Sequence, residues 1–202
     1  MTRHLRPALR ALLLLLALTG CLSAMALPSD TSTKPVAPNH FPLKFKRHDF
    51  RAYCYNTIGC EVIYADNNFT RLRSGDVVSP PPPSADYRDK WGFASYGGIA
   101  NFPPPAHVRW KSLDGVAHEA DVDIGAIFKD ELVRYSVSND EIREGAFPGP
   151  GPATDPSIFL EVNDRTINVF TRAFIPTKKE QVPGNKYSDS REDLILVWTQ
   201  TY

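Results

Sequence analysis

Apolar and polar residues alternate along FRAYCYNTIGCEVIYA, the first periodic stretch of the chain. Alternation with period two puts Phe50, Ala52 and Cys54 on one face and Arg51 and Tyr53 on the other. On the far side of the loop YNTIG, Cys60, Val62 and Tyr64 share the first face, while Glu61 and Ile63 share the second. Pairing Cys54 with Cys60 satisfies the same phase, so the segment is expected to form a disulfide-closed β-hairpin. Two thiols without a third cysteine or a nearby histidine pattern make a poor zinc site.

A second alternating stretch, HVRWKSLDGVAHEADVDI, carries its own register test. A two-residue Asp-Gly turn would mix inward and outward residues. A three-residue loop, Leu113 to Gly115 with the glycine left-handed, pairs Ser112 with Val116 and puts Arg109 opposite Glu119 and His107 opposite Asp121. The second arrangement is expected. Asp123 is an N-cap candidate for a short helix in DIGAIFKDE, and LVRYSV reads as a strand. IFLEVNDRTINVFTRAF is a hairpin whose four-residue loop, Asn163 to Thr166, aligns Ile158, Leu160 and Val162 with Thr171, Val169 and Ile167. DLILVWTQTY closes the chain as an inner strand. Residues 73–106 and the run REGAFPGPGPATDPS break all period and read as long proline-rich loops. The fold expected is mainly β: antiparallel hairpins forming a sandwich or curved sheet, with one short helix.

The start of the chain follows another pattern. Arg3, Arg6 and Arg10 precede an apolar run from Ala11 to Leu18, the layout of an export signal and too short to span a bilayer as a helix. Two cleavage readings follow. AMA, ending at Ala26, is a small-x-small site that would release a soluble periplasmic protein. LTGC, ending at Cys21, resembles the lipobox of bacterial lipoprotein precursors and is favoured because it abuts the apolar run. The expected organisation is a signal at 1–20, a flexible tether at 21–42 and one β-rich domain at 43–202. What the lipobox resemblance implies is a diacylglycerol thioether and an N-acyl chain on Cys21, which anchors the protein to the membrane. Leu22 after the cysteine implies, by the same resemblance, the periplasmic side of the outer membrane.

Composition changes the picture only slightly. The 202 residues hold 23 basic and 23 acidic side chains. Removing the signal leaves 20 basic against 23 acidic, about −3, which speaks against nucleic acid as a partner. Of three cysteines, Cys54 and Cys60 remain as an even pair in an oxidising compartment.

The sequence holds none of the common catalytic constellations. The chain lacks a G-x-S-x-G elbow, H-E-x-x-H, a phosphate-binding glycine loop and C-x-x-C. His118 alternates with Glu119, Asp121 and Asp123, so imidazole and carboxylates lie on opposite faces of a strand and cannot converge on a metal. No catalytic residue, metal or cofactor is expected. The three carboxylates are either a solvated strand face or a dock for a basic partner. Tyr87, Trp91, Phe93 and Tyr96, bracketed by proline runs, are either interface anchors or a cap folded over the sheet's open end.

A short lipoprotein signal, an acid-leaning β domain, one C-x₅-C segment and no catalytic set resemble the periplasmic immunity lipoproteins that accompany type VI secretion lipase effectors. WKSLDGVAHEADVDIGAIFKDE and LEVNDRTINVFTRAFIPTKKEQVPGNKYSDSREDLILVWTQTY are similar to exported proteins associated with such effectors, over about residues 105–202. The resemblance implies a role, neutralising a toxic lipase in the periplasm by binding it, and brings no catalytic residues with it. The alternative from another class is a structural or accessory outer-membrane lipoprotein that scaffolds an envelope assembly.

Overall fold

Two β-sheets face each other across the inward residues of their alternating strands. The computed structural model describes residues 35–73 and 75–202. The signal, Cys21, the Ala26 site and most of the expected tether therefore lie outside the described residues. The strands are β1 Arg47–Tyr55, β2 Thr57–Tyr64, β3 Asn67–Asn68, β4 Tyr96–Ala100, β5 Ala106–Ser112, β6 Ala117–Val122, β7 Ser157–Asn163, β8 Thr166–Arg172, β9 Ile175–Pro176, β10 Ser190–Arg191 and β11 Ile195–Thr201. A five-stranded sheet runs β11-β8-β7-β1-β4, a four-stranded sheet runs β3-β2-β5-β6, and β9 and β10 form a small ribbon. The fold is mainly β, as the alternation predicts.

Buried residues from both sheets form one core, with Phe50, Ile158, Leu160 and Val169 facing Val62, Val108 and Trp110. The β5–β6 hairpin has the expected register, His107↔Asp121 and Arg109↔Glu119, with Gly115 at φ +85°. Asp114 locks the turn by accepting hydrogen bonds from Ser112 Oγ and Val116 N–H and pairing with Arg165, which together hold its carboxyl at a pKa of about 2. The β7–β8 hairpin likewise pairs Ile158↔Thr171, Leu160↔Val169 and Val162↔Ile167. Asp123 caps the one α-helix among the described residues, α1 Ile124–Ile127, accepting from Ala126 N–H at 2.8 Å.

Four expectations are corrected. The segment around the disulfide is not a hairpin: β1 pairs with β7 and β4, and β2 with β3 and β5. Cys54 and Cys60 are bonded, with Cα atoms 6.3 Å apart, but they join one sheet to the other at a corner. The inward face is right, since Phe50, Cys54, Cys60, Val62 and Tyr64 are all buried. Alternation tells which face is dry and is silent about which strand lies alongside. LVRYSV is not a strand, because only Leu132 finds a partner, a single bridge to Lys44. DLILVWTQTY supplies β11, an edge strand rather than an inner one. Residues 73–106 are not structureless: they contain a 3₁₀ turn at Tyr87–Lys90 and β4, whose sequence YGGIA has no apolar period to betray it.

The last residues of the expected tether are tied to the domain. His40 N–H donates to Phe147 O at 3.0 Å, and Asn39 bonds both Arg143 O and Phe147 N–H.

Candidate functional site

The acidic residues singled out in the sequence lie on β6, an outer strand of the four-stranded sheet. Charges run across this sheet in rows set by the register. Glu61 on β2, Arg109 on β5 and Glu119 on β6 form one row, and Ile63, His107 and Asp121 form the next. Arg109 chooses the inner carboxylate: its guanidinium bonds Glu61, with Nε at 3.1 Å from Oε2. Among the described residues Glu119 is left with only His107 Nε2 at 3.5 Å, while His107 Nδ1 reaches Asp121 Oδ1 at 3.0 Å. The side chains of Glu119 and Asp121 are 69% and 71% exposed. Two carboxylates therefore face solvent on an outer strand, sharing one half-buried imidazole. At the hairpin tip beside them Leu113 and Val116 are exposed. Asp123, the third acidic residue, is engaged as the helix cap.

His118 sits on the other side of β6. Its ring stacks on Trp110 with centroids 4.9 Å apart, and Nε2 lies 2.9 Å from Ser112 Oγ. The side chain is thus spent on packing and one hydrogen bond. Among the described residues no three His, Cys, Asp or Glu side chains gather in a metal-binding group.

The aromatic residues divide. Tyr87 and Trp91 are buried, packed with Phe159 and Phe170 on the outer face of the five-stranded sheet. Trp91 stacks on Tyr53 with centroids 4.3 Å apart. These two cap the sheet and present no free ring to a partner, which corrects their reading as anchors. Phe93 and Tyr96 stay exposed, although Tyr96 OH accepts from Asn67 Nδ2 at 2.7 Å.

Two polar networks went unread in the sequence. Glu161 is fully buried on the outer face of β7 and accepts from Tyr87 OH at 2.5 Å, Arg88 at 2.6 and 3.2 Å, and Asn168 at 3.0 Å. Burial and the Glu161 carboxylate push the Tyr87 phenol well above its ordinary range. Arg172 holds the same segment from the other end through the carbonyls of Trp91 and Gly92. The second network is His48, buried between the sheets, with Nδ1 3.0 Å from Asn101 Oδ1 and Nε2 3.0 Å from Tyr64 OH. Asn101 Nδ2 donates to Phe45 O, which fixes the amide so that a neutral His48 donates at Nδ1 and accepts the Tyr64 hydroxyl at Nε2. Burial lowers the His48 pKa, against the opposing pull of Asn101, Asp49 and Asp155. A glutamate in the alternating stretch FLEVN looks solvated from sequence, because Tyr87 of the loop that covers it is 74 residues upstream.

Compared with protein families, curated proteins and solved structures, the chain matches none. Among the described residues no helix is long and apolar enough to cross a membrane.

Proposed function

We propose that this chain is a non-catalytic binding module of the bacterial envelope that docks a basic protein partner on the β6 face of its four-stranded sheet. The observation that carries this reading is the pair Glu119 and Asp121, highly exposed and only partly neutralised, set on a hairpin whose register and turn are rigidly specified. Rigid elements hold charges in place at low entropic cost on binding, and an acidic face accelerates encounter with a basic one. The resemblance noted for the sequence makes neutralisation of a secreted lipase the biological role, with Cys21 as the lipid anchor at the periplasmic side of the outer membrane.

The experiment mixes the purified protein with the secreted lipase encoded beside its gene and follows lipase activity. The reading expects loss of activity near one-to-one stoichiometry and recovery of activity with Glu119→Lys/Asp121→Lys. Untouched lipase activity together with co-purification of envelope proteins would favour the scaffolding alternative. For the anchor, Cys21→Ser is expected to move the protein from the membrane to the soluble fraction, and unchanged fractionation assigns processing to the Ala26 site.

A further inference from the structure

The two sides of β1 are treated differently. On one side β7 accompanies it from Asp49 to Tyr55. On the other, β4 stays alongside only as far as Phe50↔Tyr96. Main-chain groups alternate in direction along a strand. Asp49 N–H bonds Pro156 and Tyr55 C=O accepts from Asp164, so these residues, with Arg51 and Tyr53, address β7. Lys46 C=O, in the opposite phase, accepts from Asn101 beside β4. Ala52 and Cys54 share that second phase and address the side β4 has left. Among the described residues no strand receives their N–H and C=O groups there.

That side is a groove of about 330 Å³. Its far wall is the segment Asn68 to Arg73, where the chain leaves β2 after Phe69 N–H bonds Val62, and before it returns at Val77 to bond Gly59. Tyr53, Tyr55, Phe69 and Leu72 give the groove an apolar lining. Arg71 and Arg73 are the charged residues of that lining, and neither meets a carboxylate among the described residues. An unpaired strand edge, apolar walls and two uncommitted guanidinium groups are complementary to one kind of occupant.

We propose that the groove binds an extended, acidic peptide segment of a partner as an added strand against β1. Its main chain pairs with Ala52 and Cys54, and its carboxylates meet Arg71 and Arg73. Alternate apolar side chains lie against Phe69 and the tyrosines. The site is independent of the β6 reading, being on another strand and of opposite charge.

The test uses a fluorescent peptide of alternating valine and glutamate, its valine–lysine counterpart, and the protein with its disulfide intact. The glutamate peptide is expected to bind, to slow hydrogen exchange at the Ala52 and Cys54 amides, and to bind about tenfold or more weakly to Arg71→Glu/Arg73→Glu, a loss of about 1.4 kcal/mol. Both arginines lie on a single 3₁₀ turn, Arg71–Arg73, with no buried residue, and circular dichroism checks that the variant folds. Glu119→Lys/Asp121→Lys is expected to bind the glutamate peptide as the parent does. Unchanged exchange at the two amides under saturating peptide, or equal binding of the two peptides, would overturn the proposal. So would binding to anionic vesicles in place of peptide, or a concentration-dependent dimer that protects the same amides.

Discussion

The molecule carries the same ion pair, arginine to glutamate, in two settings. On the outer face of the five-stranded sheet, Arg88 meets Glu161 beneath a strap of aromatic residues, and the glutamate side chain has no exposure to water. On the four-stranded sheet, Arg109 meets Glu61 on an open surface, with 57% and 20% of the two side chains exposed. The charges are alike, but Arg88 spans both oxygens of Glu161 whereas Arg109 converges on Oε2 of Glu61, and the cover differs. Under the strap the carboxylate depends wholly on the groups that bond it, because water cannot replace a lost partner. In the open, water can. The first pair is therefore a fastener and the second a surface on which charge is left available.

Trp91→Ala should be the most damaging change on the strapped side, costing about 3–5 kcal/mol for an aromatic lost from a packed site. Urea denaturation checks it, and a small cost would mean that the strap is loose. Next comes Arg88→Met, expected to cost about 2–3 kcal/mol. This is less than the 3–5 of a fully buried pair, because Tyr87 and Asn168 still bond Glu161 and Arg88 is itself partly exposed. Arg109→Met should leave the midpoint close to the parent's. A pair of equal losses would break the comparison at its root.

Replacing Cys54 and Cys60 with serine should remove about 2–3 kcal/mol in the chain-entropy picture of so short a loop. The loss is expected to fall on both sheets together, since the bridge joins them, and tryptophan fluorescence and amide exchange can follow each sheet. A graded effect is one of pH. The His48 pKa is lowered in the folded protein, so the unfolded chain takes up the proton first as pH falls. Stability is then full above about pH 6.5 and is lost below it by at most about 1.4 kcal/mol per pH unit. His48→Gln should flatten that dependence in denaturation midpoints measured from pH 8 to 5.5, and an unchanged slope would assign it to carboxylates instead.

What could be read from the sequence was what neighbours along the chain decide. The turns at Asp114-Gly115 and Asp164-Arg165 have their own chemistry, and each places its flanking strands in register to the residue. The inward faces of β1 and β2 were legible for the same local reason. Their partners were not: a bridge between Cys54 and Cys60 suits a hairpin and a corner equally well, and the choice rests on β7, far downstream. YGGIA is not legible as a strand, because one that pairs along one side and lies mostly in solvent needs no apolar period. ILVW, conversely, reads as interior, yet Leu196 is half exposed on β11, which among the described residues ends its sheet. Of the candidate site, the exposed carboxylates were found by their spacing. The open edge of β1 was hidden, since a missing neighbour leaves no mark on the sequence of the strand that lacks it.

The parallel pairing of β1 with β7 also sets a timetable. Asp49 finds Ser157 and Tyr55 finds Asn163, more than a hundred residues later. β1 is an inner strand of its sheet, so until β7 emerges it has one short neighbour at one end and none along the rest. Loop closure over such a separation is slow and is rewarded only at the end. The chain must be released almost whole before its larger sheet can assemble, and any fragment ending before Asn163 is a strand waiting for its partner.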